Sequence, residues 1–154
     1  MEKNPSGLQL GAVMKIITKN EKETLAAAKK FARQLEGGEV IGLEGDLGAG
    51  KTVFVKGLAA GLGIKKIITS PTFVLMKVYP VKSVKSPIRQ LVHIDAYRLT
   101  SGADLEAIGA LDYFGQKHTI TVIEWPERVR DILLKDCLKI KIKIKNNNQR
   151  EIIF

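Results

Sequence analysis

The run Gly45-Asp46-Leu47-Gly48-Ala49-Gly50-Lys51-Thr52 constrains this chain more than any other stretch. It fits the spacing G-x-x-x-x-G-K-[ST], whose glycines let the backbone curl until several N–H groups point inward at an anion. The run before it, Glu39-Val40-Ile41-Gly42-Leu43-Glu44, reads as a short buried strand, and Val53 to Leu62 after it reads as a helix. A strand, a glycine-rich loop and a helix are the context this motif needs. The N-terminus of the helix adds partial positive charge. Lys51 is placed to reach the β- and γ-phosphates of a nucleoside triphosphate, and the Thr52 hydroxyl to hold Mg2+. A glycine-rich turn that fits the pattern by chance is the competing explanation; against it, motif and context agree.

The length suits one domain with a real core. Residues 14–154 are read as that domain and residues 1–13 as a disordered extension, mixed in composition and containing Pro5. The extension lacks the apolar stretch of a signal peptide, and no apolar run approaches the length of a membrane span. A cytoplasmic protein with no membrane partner is the default expectation. Cys137 is the single cysteine, which excludes an intramolecular disulfide; among apolar neighbours it reads as a small buried residue. The net charge of +9 fits a polyanionic partner, and fits equally a protein carrying surplus lysine for solubility.

Along the chain, Lys15 to Thr18 reads as a strand, and Glu21 to Leu35 as a helix with an apolar stripe ended by Gly37-Gly38. Val74 to Tyr79 and Leu91 to Asp95 read as strands joined by a longer turn, hence a hairpin. Ala103 to Ala110 reads as a helix, Thr119 to Glu124 as a strand stopped by Trp125-Pro126, and Glu127 to Leu134 as a short helix. In the tail, Leu138 to Lys145 alternates isoleucine with lysine, the mark of a strand with one apolar and one basic face. The asparagine run after it turns the chain into Arg150 to Phe154, a second hairpin. The expected fold is therefore a P-loop NTPase-like three-layer α/β sandwich, with a mixed, mainly parallel central sheet and antiparallel hairpins.

A phosphate loop needs a partner acid near its metal. Asp95 and Glu124 each end an apolar strand, at the sheet edge where α/β proteins bind ligands; strand pattern alone leaves them tied. Thr69-Ser70-Pro71-Thr72 is a hydroxyl-rich loop of the kind that orders over a γ-phosphate, or else an ordinary Ser-Pro turn. His93, mid-strand in an apolar run, reads as a satisfied core histidine. Trp125 packs beside a nucleotide or caps the core, and Arg98 touches phosphate or pairs with a carboxylate.

Taken in order, the phosphate loop, Ser70-Pro71-Thr72-Phe73, His93-Ile94-Asp95-Ala96-Tyr97-Arg98-Leu99, Asp112-Tyr113-Phe114 and Glu124-Trp125-Pro126-Glu127-Arg128 resemble the bacterial TsaE (YjeE) family. The resemblance covers roughly Lys15 to Leu134. It implies a small ATPase, with ATP and Mg2+ as cofactors, needed to make threonylcarbamoyl adenosine at position 37 of tRNAs that read codons starting with A. It implies TsaD and TsaB as partners, which perform the transfer, while ATP turnover here resets them; tRNA would be met indirectly. By motif position, Lys51, Asp95 and Glu124 would be catalytic, and Thr52 and Glu124 would be Mg2+ ligands. Asp46, Leu47, Gly48, Ala49, Gly50, Lys51, Thr52, Val53, Ser70, Thr72 and Trp125 would contact the nucleotide. The chain departs from the family at Val53, where relatives often carry threonine, and at Leu134-Lys135, where Leu-Pro is common.

Two other classes stay open at this point. A small-molecule kinase would need an arginine-bearing lid, and Arg89, Arg98, Arg128 and Arg130 are scattered. A nucleotide-gated binding module would barely hydrolyse ATP. The lysine-faced tail reads first as an edge strand that blocks aggregation, and second as a basic stripe for RNA phosphates.

Overall fold

The structure, a computed structural model, describes residues 13–133, 135 and 137–154. The extension read over residues 1–13 therefore lies outside the described residues, Val13 excepted. The chain runs through β1 (Lys15–Thr18), α1 (Glu21–Ala32), β2 (Val40–Glu44), α2 (Lys51–Gly61), β3 (Met76–Pro80), β4 (Gln90–Asp95) and α3 (Gly102–Ala107). A 3-10 turn at Ala110–Tyr113, β5 (Thr119–Glu124), a second 3-10 turn at Pro126–Val129, β6 (Leu138–Ile144) and β7 (Arg150–Ile153) complete it. All strands join one sheet in the order β1-β7-β6-β2-β5-β4-β3.

The sheet is mixed, as expected, but it is not mainly parallel: three of its six strand pairings are parallel, all among the four central strands β6, β2, β5 and β4, and three are antiparallel. Antiparallel hairpins and β1 flank them on both sides. Apolar side chains build a core on each face. Phe31 and Phe54 from the helices meet Ile41, Leu43, Ile140 and Ile142 on one face. Val92, Ile94 and Ile123 meet Leu105 and Val129 on the other.

Several boundaries differ from the sequence reading, each for a local reason. Helix α1 starts where expected: the Asn20 side chain accepts from the Glu23 amide at 2.9 Å, and Glu23 accepts in return from the Lys19 amide at 2.7 Å. It ends at Ala32, not Leu35, because Arg33, Gln34 and Leu35 bond to carbonyls three residues back and tighten the last turn. Helix α2 begins two residues early, at Lys51, directly after the left-handed Gly50 (φ 102°). Strand β3 begins late, at Met76, because residues 71–75 form a turn closed by Leu75 N–H on the Pro71 carbonyl. Leu75 itself is left-handed (φ 67°), rare for a branched residue. The helix read over Glu127 to Leu134 is a 3-10 turn at Pro126–Val129, with Leu134 outside the described residues. Left-handed Trp125 (φ 60°) and Pro126 set its start, and Asp131 is drawn to the Gly102 amide (2.9 Å) at the head of α3.

The edge-strand reading of the tail is overturned. β6 lies between β7 and β2, and the sheet edges are β1 and β3. Ile140 and Ile142 are buried against the helices, while Lys139, Lys141 and Lys143 project from the opposite face. Those lysines line an uncovered sheet face, shared through register with Lys15, Ile17, Glu151 and Ile153. Cys137 is half-buried rather than buried, packed beneath β2 near Gly42.

Helices α1 and α2 pack closely because Gly57 and Gly61 face α1. A Cβ on Gly57 would meet Ala28 Cβ and the Leu25 carbonyl at 2.5 Å; one on Gly61 would meet Ala32 Cβ at 2.6 Å. The rising numbers on both helices show that they run parallel. In an exposed helix Gly→Ala stabilises by about 1 kcal/mol. Here the clash reverses the sign: Gly57→Ala is expected to destabilise by about 1–3 kcal/mol, lowering the melting temperature by several degrees in a thermal melt.

Candidate functional site

The parallel centre of the sheet assembles the site. β2 delivers the glycine-rich loop at its C-terminal end, and register places Glu124 beside Leu43 and Asp95 beside Glu124. The loop curls because Gly48 (φ 77°) and Gly50 (φ 102°) adopt left-handed conformations and nothing lies within 4 Å of where their Cβ atoms would be. Arg150 of β7 braces it from outside, donating to the Ala49 carbonyl at 3.0 Å and the Gly48 carbonyl at 3.2 Å.

Lys51, Asp95 and Glu124 are 6, 5 and 3 % exposed, so three charges sit at the floor of the pocket. The two acids, tied on strand pattern, have different partners. Glu124 Oε1 accepts from the Thr52 hydroxyl at 3.0 Å. Asp95 Oδ2 accepts from the Ser70 hydroxyl at 3.2 Å and the Thr72 hydroxyl at 3.0 Å, and its Oδ1 takes the Tyr97 amide at 2.9 Å. The Ser-Pro-Thr loop is thus moored to Asp95. Lys51 Nζ donates to the Gly45 and Asp46 carbonyls and stands 3.9 Å above the Trp125 ring. Burial pulls the Lys51 ammonium below its usual range, with Glu124, Glu127, Asp95 and Asp46 pulling it back up.

A pocket of about 420 Å³ is lined by Leu47 to Val53, Ser70, Thr72, Asp95, Tyr97, Glu124 and Trp125. Of the residues singled out from the sequence, Asp46 lies outside this lining and meets the site through its carbonyl. A smaller cleft of about 180 Å³ shares Gly48, Ala49, Gly50 and Val53, and continues to Asn20, Thr24, Asn148 and Arg150. Arg98 forms no ion pair among the described residues; its guanidinium lies 4.9 Å over the Phe73 ring. Trp125 does line the pocket, its ring 5.0 Å from Tyr97.

His93 is core, yet not satisfied. It is fully buried, with Nε2 3.4 Å from Glu124 Oε2, and neither ring nitrogen has a hydrogen-bond partner. Glu127 Oε2 is also buried and unpartnered. Its carboxylate adds to the field at Lys51. Sequence reasoning missed Glu127 and Arg150. The acid follows Trp125-Pro126 in the quoted motif; the arginine carries no local signal.

Among the described residues no group of three or more His, Cys, Asp or Glu converges as a metal cage. Mg2+ does not need one, since it keeps waters and takes one or two protein ligands beside substrate phosphates. The paired Thr52 hydroxyl and Glu124 carboxylate supply hard oxygen donors of that kind.

Fold and pocket together define an α/β protein built around a strand–glycine loop–helix unit, with two buried acids at the floor of the pocket beside it. Residues 18–152 match the family model of the threonylcarbamoyl adenosine biosynthesis protein TsaE. The chain is 41% identical over 138 residues to the tRNA threonylcarbamoyladenosine biosynthesis protein TsaE of Bacillus subtilis (strain 168), covering 89% of this chain and 82% of that one. It is 41% identical over 140 residues to the protein of the same description from Treponema pallidum (strain Nichols), covering 90% and 98%. The crystal structure of Bacillus subtilis YdiB superposes with a TM-score of 0.74 at 37% identity, over 93% of this chain and 84% of that one. The chain belongs to the TsaE family of tRNA threonylcarbamoyladenosine biosynthesis proteins.

Proposed function

We propose that this protein is a P-loop ATPase of the cytoplasm that binds ATP with Mg2+ in the 420 Å³ pocket and hydrolyses it to ADP and phosphate. The activity would serve threonylcarbamoyladenosine formation on tRNA, in concert with TsaD and TsaB. The observation that carries the reading is the Thr52–Glu124 hydrogen bond of 3.0 Å beside the glycine-rich loop and Lys51. The loop amides and Lys51 would hold the β- and γ-phosphates, and the adjoining cleft at Asn20 and Asn148 the nucleoside. Thr52 and Glu124 would hold Mg2+, which neutralises charge on the phosphate oxygens. Asp95 would orient the water that attacks the γ-phosphorus as the bond to the β-bridging oxygen breaks, with Ser70 and Thr72 closing over the γ-phosphate as a switch.

No arginine lines the pocket among the described residues. Among the described residues lining the pocket none supplies the charge that an arginine finger brings to faster phosphoryl transfer, which supports slow turnover alone. Phosphate release measured with Mg2+ and ATP is expected to be weak for the isolated chain. It should rise on the order of tenfold or more with TsaD and TsaB, with ADP and free phosphate as products. A phosphorylated metabolite, or a rate indifferent to the partners, would overturn the reading.

A further inference from the structure

Residues 47–94 contain no Asp or Glu, yet carry Lys51, Lys56, Lys65, Lys66, Lys77, Lys82, Lys85 and Arg89. Nearly all of the net charge of +9 therefore sits in this one segment. The fold gathers half of it at one place. Helix α2 starts in the nucleotide pocket and ends about 16 Å away, at 1.5 Å per residue over its 11 residues. Strand β3 ends at Pro80, which pairs with Gln90 at the opposite end of the sheet from Asp95. A pocket of about 710 Å³ opens there, between the α2 exit and the β3–β4 turn, with Lys65, Lys66 and Lys82 on its walls and Tyr79 among its lining residues. Lys85 follows on the same turn.

All four lysines are exposed, and none is in an ion pair among the described residues. Lys66 leans over the Tyr79 ring at 6.0 Å. Because α1 runs parallel to α2, its basic last turn ends on the same side. Glu39, an acid at that end of the sheet, is occupied by the Glu36 and Gly37 amides. The lysine face of β6 is different in kind: Glu151 lies opposite Lys143 and holds Lys145 at 3.6 Å. Solubility lysines are normally interspersed with acids; an acid-free cluster around a cavity is the footprint of a polyanion.

We propose that this end of the molecule, centred on Lys65, Lys66, Lys82 and Lys85, docks directly onto the phosphodiester backbone of RNA. The relatives of this chain are tRNA threonylcarbamoyladenosine biosynthesis proteins, so RNA is the polyanion that process supplies. The contact is remote from the nucleotide pocket and does not rest on ATP hydrolysis.

The test is binding of an unmodified tRNA transcript to the full chain at 50 and 200 mM salt, without nucleotide. Four phosphate contacts predict a loss of affinity on the order of 100-fold across that range. The charge reversal Lys65→Glu/Lys66→Glu/Lys82→Glu/Lys85→Glu should weaken binding at least tenfold and flatten the salt dependence. It should keep its melting temperature and ATP binding. Lys139→Glu/Lys141→Glu/Lys143→Glu should bind like the native chain. If the fourfold reversal fails to fold, Lys65→Gln/Lys66→Gln should still weaken binding and reduce the salt slope. Absence of tRNA binding by the native chain overturns the proposal. So does binding lost in the β6 set and kept in the other, or displacement by polyglutamate as effective as by RNA at equal charge.

Discussion

Glu124→Gln is expected to lower Mg2+-dependent phosphate release by at least about 100-fold while leaving metal-free nucleotide binding intact. The amide is nearly isosteric with the carboxylate and can still accept from the Thr52 hydroxyl, now 3.0 Å from Oε1. What it loses is the negative charge that a hard cation requires. It also removes one carboxylate from the floor of an anion site, so affinity for ATP without metal should hold or rise. His93, 3.4 Å from the other oxygen, and the buried setting of both side chains make the pocket sensitive to shape; the isosteric change respects it, so the melting temperature should move little. Trp125 is the single tryptophan and lines the pocket, so its fluorescence reports nucleotide binding in the same samples. Turnover at the native rate would remove Glu124 from the metal site. Loss of metal-free binding along with turnover would point to collapse of the pocket.

Much of this architecture is local in the sequence. β5, read as Thr119 to Glu124, matches the structure end to end, because an unbroken run of five β-branched residues closed by Trp-Pro leaves little choice. The glycine-rich loop was legible from its spacing and the two acids from their places at strand ends, and the fold brings all three to one pocket; strand pattern left the two acids tied. What failed was of two kinds. Boundaries such as Ala32 and Met76 depend on how a turn tightens, as the left-handed Leu75 shows. The place of β6 depends on which strands add outside it, and an Ile-Lys alternation is the same at an edge as in the interior. Nor does local pattern reveal Arg150, which reaches the loop from about a hundred residues away. Glu127 lies within a quoted motif, but only the fold brings its carboxylate close enough to act on Lys51.

Lys51→Ala is expected to weaken ATP binding by at least about 100-fold and with it abolish hydrolysis. In the free protein Lys51 points back at the Gly45 and Asp46 carbonyls and over Trp125, the seat that a β-phosphate would claim. A bound triphosphate replaces weak carbonyl acceptors with full negative charge in a site of low exposure, where such a contact is strongest. The direction of the Lys51 pKa adds a second, independent check. Burial lowers it from 10.5 in the free protein, so the ammonium begins to lose its proton at lower pH than an ordinary lysine. The unfolded chain then binds more protons than the folded one between the two values. Lys51 therefore opposes folding fully below the folded value, and its contribution to stability rises with pH through that window. Phosphate favours the charged form, so ATP affinity should fall with rising pH beginning below 10.5, and that fall should be absent from the residual binding of Lys51→Ala. Isothermal titration across alkaline pH reads both effects. Native-like affinity in the alanine variant would show that the loop amides alone hold the phosphates, and an unchanged pH profile would assign the alkaline titration to another group.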